Sequence, residues 1–260
     1  MRLHWFSNKA HGLSLNELRS MVTELDGVGY SSFLLPYVSE RPDLFLKAAH
    51  ILEENQSIKL MSAIRPRSLS PEYCAMQAAA FNEIYPNRLM LNVLHGTMVE
   101  GETGRGIIDY ENTFSTRRGT IEHTRLFLKK LRDISIFNSS NIELFVPGSM
   151  ADTIEIAVEY GDCVATDYHS LRGDPSRFGD ANRLMVTLDM AIKDKTSGLD
   201  DSGEDNLNLI YIPEDNLVEF VKSLKEWGVT DIMVSSPTEA EDPSPVHNAI
   251  KKYLAEIVAI

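Results

Sequence analysis

Two kinds of apolar pattern alternate along the chain. Short, nearly unbroken apolar runs of strand length occur at 3–6, 32–36, 58–64, 88–94, 142–146, 162–166, 182–192 and 230–235. Between them the apolar residues recur every three or four positions, as a helix with one buried face requires. The first helix carries Leu15, Leu18, Val22 and Leu25, with Ser14 as N-cap and a stop at Gly27 and Gly29. Pro42 and Pro71, each suited to a first turn, open helices over 42–55 and 71–84. Further helices are predicted at 117–134, 150–160, 214–227 and 244–260, the third of these with Leu217, Phe220, Val221 and Leu224 on one face.

Strand and helix alternate from the first residues to the last, and the strands lack the in-out alternation of a half-exposed sheet. That combination predicts a parallel sheet buried on both faces, and so an α/β fold. Eight principal strands are counted if a ninth run, 207–212, is an additional element. No GxGxxG turn follows the first strand and the repeats run evenly to the C-terminus, so the sequence predicts a (β/α)8 TIM barrel rather than a doubly wound sheet. About 250 residues is the usual size of one such barrel, and the chain reads as a single domain over 1–260. Between 166 and 182 the run YHSLRGDPSRFGDA is too short and too rich in turn formers for a full helix, which predicts a reduced sixth crossover.

Charge narrows the partners. With 25 Lys and Arg against 38 Asp and Glu, the net charge is −13, which disfavours nucleic acid and anionic membrane surfaces. The two cysteines, Cys74 and Cys163, stand in no metal-ligand spacing, so neither a metal site nor a disulfide framework is indicated. No window approaches the roughly 18 apolar residues of a membrane span, and the N-terminus lacks a signal-peptide core. A cytoplasmic protein is the expectation.

One stretch is more specific than the periodicity. It reads GYSSFLLPY and then IKLMSAIRPRSLSPEYCAMQAAAFNEIYPNRLMLNVLHG, from Gly29 to Gly96. It resembles the luciferase-like flavin monooxygenases, most closely their alkanesulfonate monooxygenase branch. The correspondence runs through Ala63, Arg65 and Pro66, then Ser70 and Pro71, Asn87 and Arg88, and Asn92 and Gly96. PGSMADTIEIAVEYGD is similar to the family's Gly-Ser phosphate turn and following helix, and EFVKSLKEWGVTDIMVSS to its last helix and strand. The resemblance implies a barrel that binds FMN at the C-terminal ends of its strands, where barrel active sites lie.

The candidate site residues follow from position and resemblance together. Gly148 and Ser149 precede a helix, so that backbone N–H groups and the Ser149 hydroxyl can hold a phosphate; alternatively Ser149 caps the helix. Asn92 ends an apolar strand and needs a partner for its amide, either a flavin ring edge or a structural group. His95 and Gly96 follow it; His95 stands where the family has Thr or Ser, and either contacts the flavin or lies in the loop. Ala63 leaves room for a planar ring, or is core filler. Arg65 suits an anionic ligand, or an ion pair on the barrel rim. His11, after the first strand, is a candidate for proton transfer or an ordinary loop histidine.

Three departures from the resembled branch bear on chemistry. The strand 184–192 carries Thr187 and Asp189 where the sulfonate enzymes have Arg and His, and Asp189 repels an anionic substrate unless paired. Ser39 and Glu40 stand where that branch uses Cys. The acidic run 193–206 replaces a longer inserted lid, and Asp109, Tyr110, Phe114, Arg117 and Arg118 fall in the family's flavin-contacting stretch. The expectation is an FMN-dependent monooxygenase that takes reduced flavin from a separate flavin reductase and oxygenates a small organic substrate. It is expected to be a homodimer or higher homo-oligomer. A deazaflavin-dependent oxidoreductase and a flavin-binding protein without catalysis are the alternatives.

Overall fold

The computed structural model describes residues 1–7, 10, 12–36, 44–52, 56–95, 117–193, 209–235 and 243–260. In chain order the elements are β1 (Arg2–Phe6), α1 (Leu15–Val28), β2 (Ser32–Leu35), α2 (Leu44–Ile51), β3 (Lys59–Ile64), α3 (Pro71–Ile84), β4 (Leu89–Val93), α4 (Arg117–Asp133), α5 (Ser135–Ser139) and β5 (Glu143–Pro147). There follow α6 (Ala151–Tyr160), β6 (Cys163–Asp167), α7 (Tyr168–Gly173), β7 (Leu184–Lys193), β8 (Leu209–Pro213), α8 (Leu217–Glu226), β9 (Asp231–Ser235) and α9 (Ser244–Ala259).

The strands close a ring. Parallel ladders join β1 through β7 in order, β7 pairs with β9, and β9 returns to β1 with Arg2 opposite Asp231 and Phe6 opposite Ser235. This is an eight-stranded (β/α)8 barrel. β8 stays outside the ring: it pairs with the second half of the long strand β7, from Asp189↔Leu209 to Lys193↔Pro213. The ninth apolar run is thus the additional element the pattern predicts. The sixth crossover is reduced to the six-residue α7 and a 3-10 turn at Pro175–Phe178.

Local chemistry sets the helix ends. Ser14 accepts from the Glu17 N–H while the Glu17 carboxylate accepts from the Ser14 N–H, a reciprocal capping box. The predicted stop at Gly27 is corrected: α1 continues through it, and Gly29 (φ 103°) ends the helix in the left-handed conformation that only glycine adopts without strain. The single helix predicted over 117–134 breaks at Ile134, whose extended backbone starts the separate helix α5.

Strand alternation divides the core in two. Leu3, Trp5, Phe33, Leu60, Leu91, Leu144, Val186 and Val234 point outward into the layer shared with the helices. Leu34, Met61, Ala63, Met90, Phe145, Cys163, Ala165, Met185 and Met233 fill the barrel interior, with Phe6 and Leu94 packed against them. Both faces are apolar, which explains why the strands read as unbroken runs. Four methionines in the interior give an adaptable filling around Phe145.

The N-terminal end of the barrel is closed by charge. Asp231, with its side chain 1% exposed, accepts from His4 Nε2 (2.9 Å), Arg2 Nε (2.7 Å), Arg183 Nη2 (2.9 Å) and Thr230 Oγ1 (2.6 Å). Glu143 accepts from Arg2, Arg183 and Lys59 at 2.9, 2.6 and 2.9 Å. His4 Nδ1 lies 2.7 Å from Ser32 Oγ. Because this end is opposite the strand C-termini, its role is structural.

Candidate functional site

The C-terminal ends of the strands collect most of the candidate residues. Ala63 on β3 and Asn92 on β4 are register partners that belong to the interior-facing sets of their strands, beside the Met61–Met90 layer. Asn92 is 6% exposed, and its Oδ1 is a buried acceptor with no hydrogen-bond partner among the described residues. An unsatisfied buried amide oxygen costs about 1–3 kcal/mol, so an apolar residue would be more stable there unless a ligand donates to it. Ala63, 1% exposed, is the smallest side chain that still covers the strand next to that oxygen. A planar ring edge bearing an N–H donor fits both residues.

Gly148 and Ser149 lie between β5 and α6. A Cβ on Gly148 would come within 2.9 Å of the Thr153 and Ile154 backbone, so glycine is what allows the turn to fold against the first turn of α6. The Gly148 N–H donates to the Ala165 carbonyl at 2.8 Å and is not available to a phosphate. Ser149 does not cap α6. The N-cap is Met150, whose N–H donates to Thr153 Oγ1 at 3.2 Å, and Ser149 stands one residue earlier. The anion-binding potential of the turn therefore rests on the Ser149 hydroxyl and on the positive N-terminal end of α6, where the Thr153 N–H is already taken by Met150 O and Asp152 Oδ1. Arg177, from the reduced sixth crossover, donates to the Ser149 carbonyl at 2.8 Å and brings a guanidinium to the same turn. No sequence signal joins Arg177 to Ser149, because the contact exists only through the shortened crossover.

Asp189 is half-buried on β7, in the alternating set that includes Met185 and Thr187, and is the register partner of Ser235 on β9. The Ser235 hydroxyl donates to the Asp189 carboxylate. Thr187 is the register partner of Asp167, which accepts from Ser170 N–H and Oγ at 2.8 and 2.6 Å and so caps α7. Ser235 was not among the sequence candidates; its only signal is a small polar residue at the end of an apolar strand. Arg65 directly follows β3, His95 stands two residues after the end of β4, and both are half-buried. The fold therefore places Ala63, Arg65, Asn92, His95, Gly148, Ser149 and Asp189 on strand ends of one barrel face.

Several sequence candidates lie outside the described residues: His11, Gly96, Ser39, Glu40, Asp109, Tyr110, Phe114 and most of the acidic run 193–206. Arg117 and Arg118 begin α4. Among the described residues no group of three or more His, Cys, Asp or Glu can hold a metal ion, and no helix is long and apolar enough to cross a membrane. Both cysteines are buried and unpaired.

Solved structures repeat this architecture. The EDTA monooxygenase of Chelativorans sp. BNC1 superposes with a TM-score of 0.70 at 11% identity, over 100% of this chain and 92% of that one. The coenzyme F420 dependent tetrahydromethanopterin reductase of Methanopyrus kandleri gives 0.69 at 10% identity, over 96% and 97%. The oxygenating constituent of 3,6-diketocamphane monooxygenase from Pseudomonas putida, solved in complex with FMN, gives 0.67 at 13% identity, over 99% and 98%. At these identities the likeness is one of fold. The sequence profile of luciferase-like monooxygenases matches residues 1–169, which is more than half of the chain. With the closed barrel and the residues gathered at its C-terminal face, this match makes the chain a member of the luciferase-like monooxygenase family.

Proposed function

We propose that the protein is a flavin-dependent monooxygenase that binds FMN at the C-terminal face of the barrel and oxygenates a small organic substrate. The observation that carries this reading is the unpartnered Oδ1 of Asn92 beside Ala63, a buried acceptor that a flavin ring N–H satisfies. Reduced FMN, when bound, supplies the electrons for oxygen activation, and a separate flavin reductase delivers it. The chain's own residues do the holding. Asn92 and Ala63 receive the ring, and His95 and Gly96, which follow Asn92 in the sequence, are its further candidate contacts. The Ser149 hydroxyl, the positive N-terminal end of α6 and the Arg177 guanidinium hold the phosphate.

Asp189 is the candidate proton carrier, its carboxylate oriented by the Ser235 hydroxyl. His11 is a further proton-transfer candidate from the β1 end. Arg65 stands where it can receive an anionic group of the ligand. The carboxylate of Asp189, in place of a cation, favours a neutral or cationic substrate over a sulfonate. The reading includes a cytoplasmic homodimer or higher homo-oligomer.

A deazaflavin is the second reading, supported by the F420-dependent reductase among proteins of the same fold. Titration of the purified chain with FMN, reduced FMN and a deazaflavin, followed by fluorescence, separates the two. Saturable binding of reduced FMN that Asn92→Leu weakens is the expected result. No binding of FMN in either oxidation state overturns the FMN reading, and preferential deazaflavin binding replaces it with the second.

A further inference from the structure

A cavity lies outside the barrel wall. It has a volume of about 490 Å³ and is bounded by α1, the outer face of β1 and the start of α9. Volumes of 300–1,000 Å³ are typical of small-molecule sites. Trp5 contributes to its wall from the side of β1 that faces the helices, whereas the neighbouring Phe6 packs into the barrel interior. One strand therefore separates this cavity from the barrel interior.

The lining has a definite chemistry. Trp5, Leu13, Met21 and Pro243 supply the apolar part. The Trp5 ring is held in place by edge contacts to His247 (4.5 Å between centroids) and a tilted contact to Tyr30 (5.5 Å), so this wall is rigid. Among the described residues, Glu17 and Glu24 are the charged members of the lining and no Lys or Arg belongs to it. His247, 6% exposed, places Nδ1 3.4 Å from Glu24 Oε1, which puts that solvent-exposed carboxylate at the edge of the cavity. Glu17 is tied to the Ser14 N–H at 2.7 Å, which fixes the second carboxylate.

An aromatic and aliphatic wall beside two carboxylates disfavours anions and accommodates a hydrophobic body carrying a positive charge. The net charge of −13 draws such cations toward the surface. We infer that this cavity between α1 and α9 binds a small amphiphilic amine, with the apolar body against Trp5 and Met21 and the ammonium group at Glu24. The site is separate from the flavin site proposed above, and its occupancy bears on β1, the strand that presents Phe6 to the barrel interior.

The test compares three probes of similar size: 2-phenylethylamine, 2-phenylethanol and 3-phenylpropionate. Calorimetry on the unmodified chain is combined with fluorescence in Trp227→Phe, which leaves Trp5 as the sole tryptophan of the two in the sequence. The amine is expected to bind saturably and to change Trp5 emission, about tenfold more tightly than the alcohol, with no binding of the carboxylate. Glu24→Gln, at an exposed side chain, is expected to weaken the amine by about tenfold and leave the alcohol unchanged. Ser20→Phe, which fills the cavity from α1, should abolish both. Saturating FMN should leave amine binding unchanged. Equal affinity for amine and carboxylate, absence of saturation, or displacement of the amine by FMN overturns the inference, and the calorimetric comparison does so without any variant.

Discussion

Replacing Asp231 with Asn tests how the barrel is closed at its N-terminal end. The carboxylate is the shared acceptor for His4, Arg2, Arg183 and Thr230, and its side chain is 1% exposed. Asn conserves shape but removes the charge, leaving the Arg2 and Arg183 guanidinium groups, with side chains 35% and 25% exposed, to share Glu143. Breaking a fully buried pair from one side costs about 3–5 kcal/mol. The two arginines retain contact with water, so screening reduces the expected loss to about 2–4 kcal/mol. At roughly 2 °C per kcal/mol for a chain of this size, Tm falls by about 4–8 °C. Urea titration monitored by circular dichroism measures the loss, and flavin binding should persist because the proposed site is at the other end of the barrel. A destabilisation below about 1 kcal/mol would show that the cluster contributes no more than a surface ion pair and refute the reasoning.

The same cluster predicts the pH dependence of stability. Burial holds the His4 pKa below its ordinary value despite the opposing hydrogen bond to Asp231. A group with a lowered folded pKa contributes stability that is complete above its unfolded value and is lost as pH falls, so urea midpoints should decline below about pH 6.5, with a smaller early decline in His4→Gln. Burial raises the Asp231 pKa but the His4 hydrogen bond and the Arg2 charge outweigh it, so this carboxylate extends the loss of stability to more acidic pH. Asn92→Leu should stabilise the flavin-free protein by about 1 kcal/mol while weakening flavin, since it removes an unsatisfied oxygen; loss of stability in thermal melts would mean that Oδ1 is already satisfied. Gly148→Ala forces a Cβ against the α6 backbone and should cost about 1–3 kcal/mol by urea titration, with weaker FMN binding. Burial pushes the Cys74 thiol up to about 12 and raises Cys163 as well, so neither should react with a thiol reagent at neutral pH until the chain is unfolded.

The sequence read the strand faces that meet the helices well and the interior poorly. Residues 71–84 form a helix with the predicted bounds, because Pro71 and Ser70 are local signals. Ser14 caps α1 for the same reason. The end of α1 was legible as the pair Gly27 and Gly29 but not which of them stops it, because the two are alike in sequence and only the backbone of Gly29 turns left-handed. At the candidate site, Asn92 was legible as a polar residue closing an apolar strand. The Ser149 turn was legible in position but not in detail, since the Gly148 N–H is taken by Ala165 from the neighbouring strand. Ser235 and Arg177 were not legible, as their partners Asp189 and Ser149 lie 46 and 28 residues away.

By itself the sequence determined the order of strands and helices, their parallel arrangement and the motif that ties Ala63, Arg65, Asn92 and Gly96 to a family. Those properties depend on periodicity, caps and short motifs, each contained within a few turns of chain. Closure of the ring through β7, β9 and β1, the exclusion of β8, the charged base and the juxtaposition of Asp189 with Ser235 were decided by the tertiary structure. They depend on which strands become neighbours and at what register, and a shift of one residue would have sent each of these side chains to the opposite face.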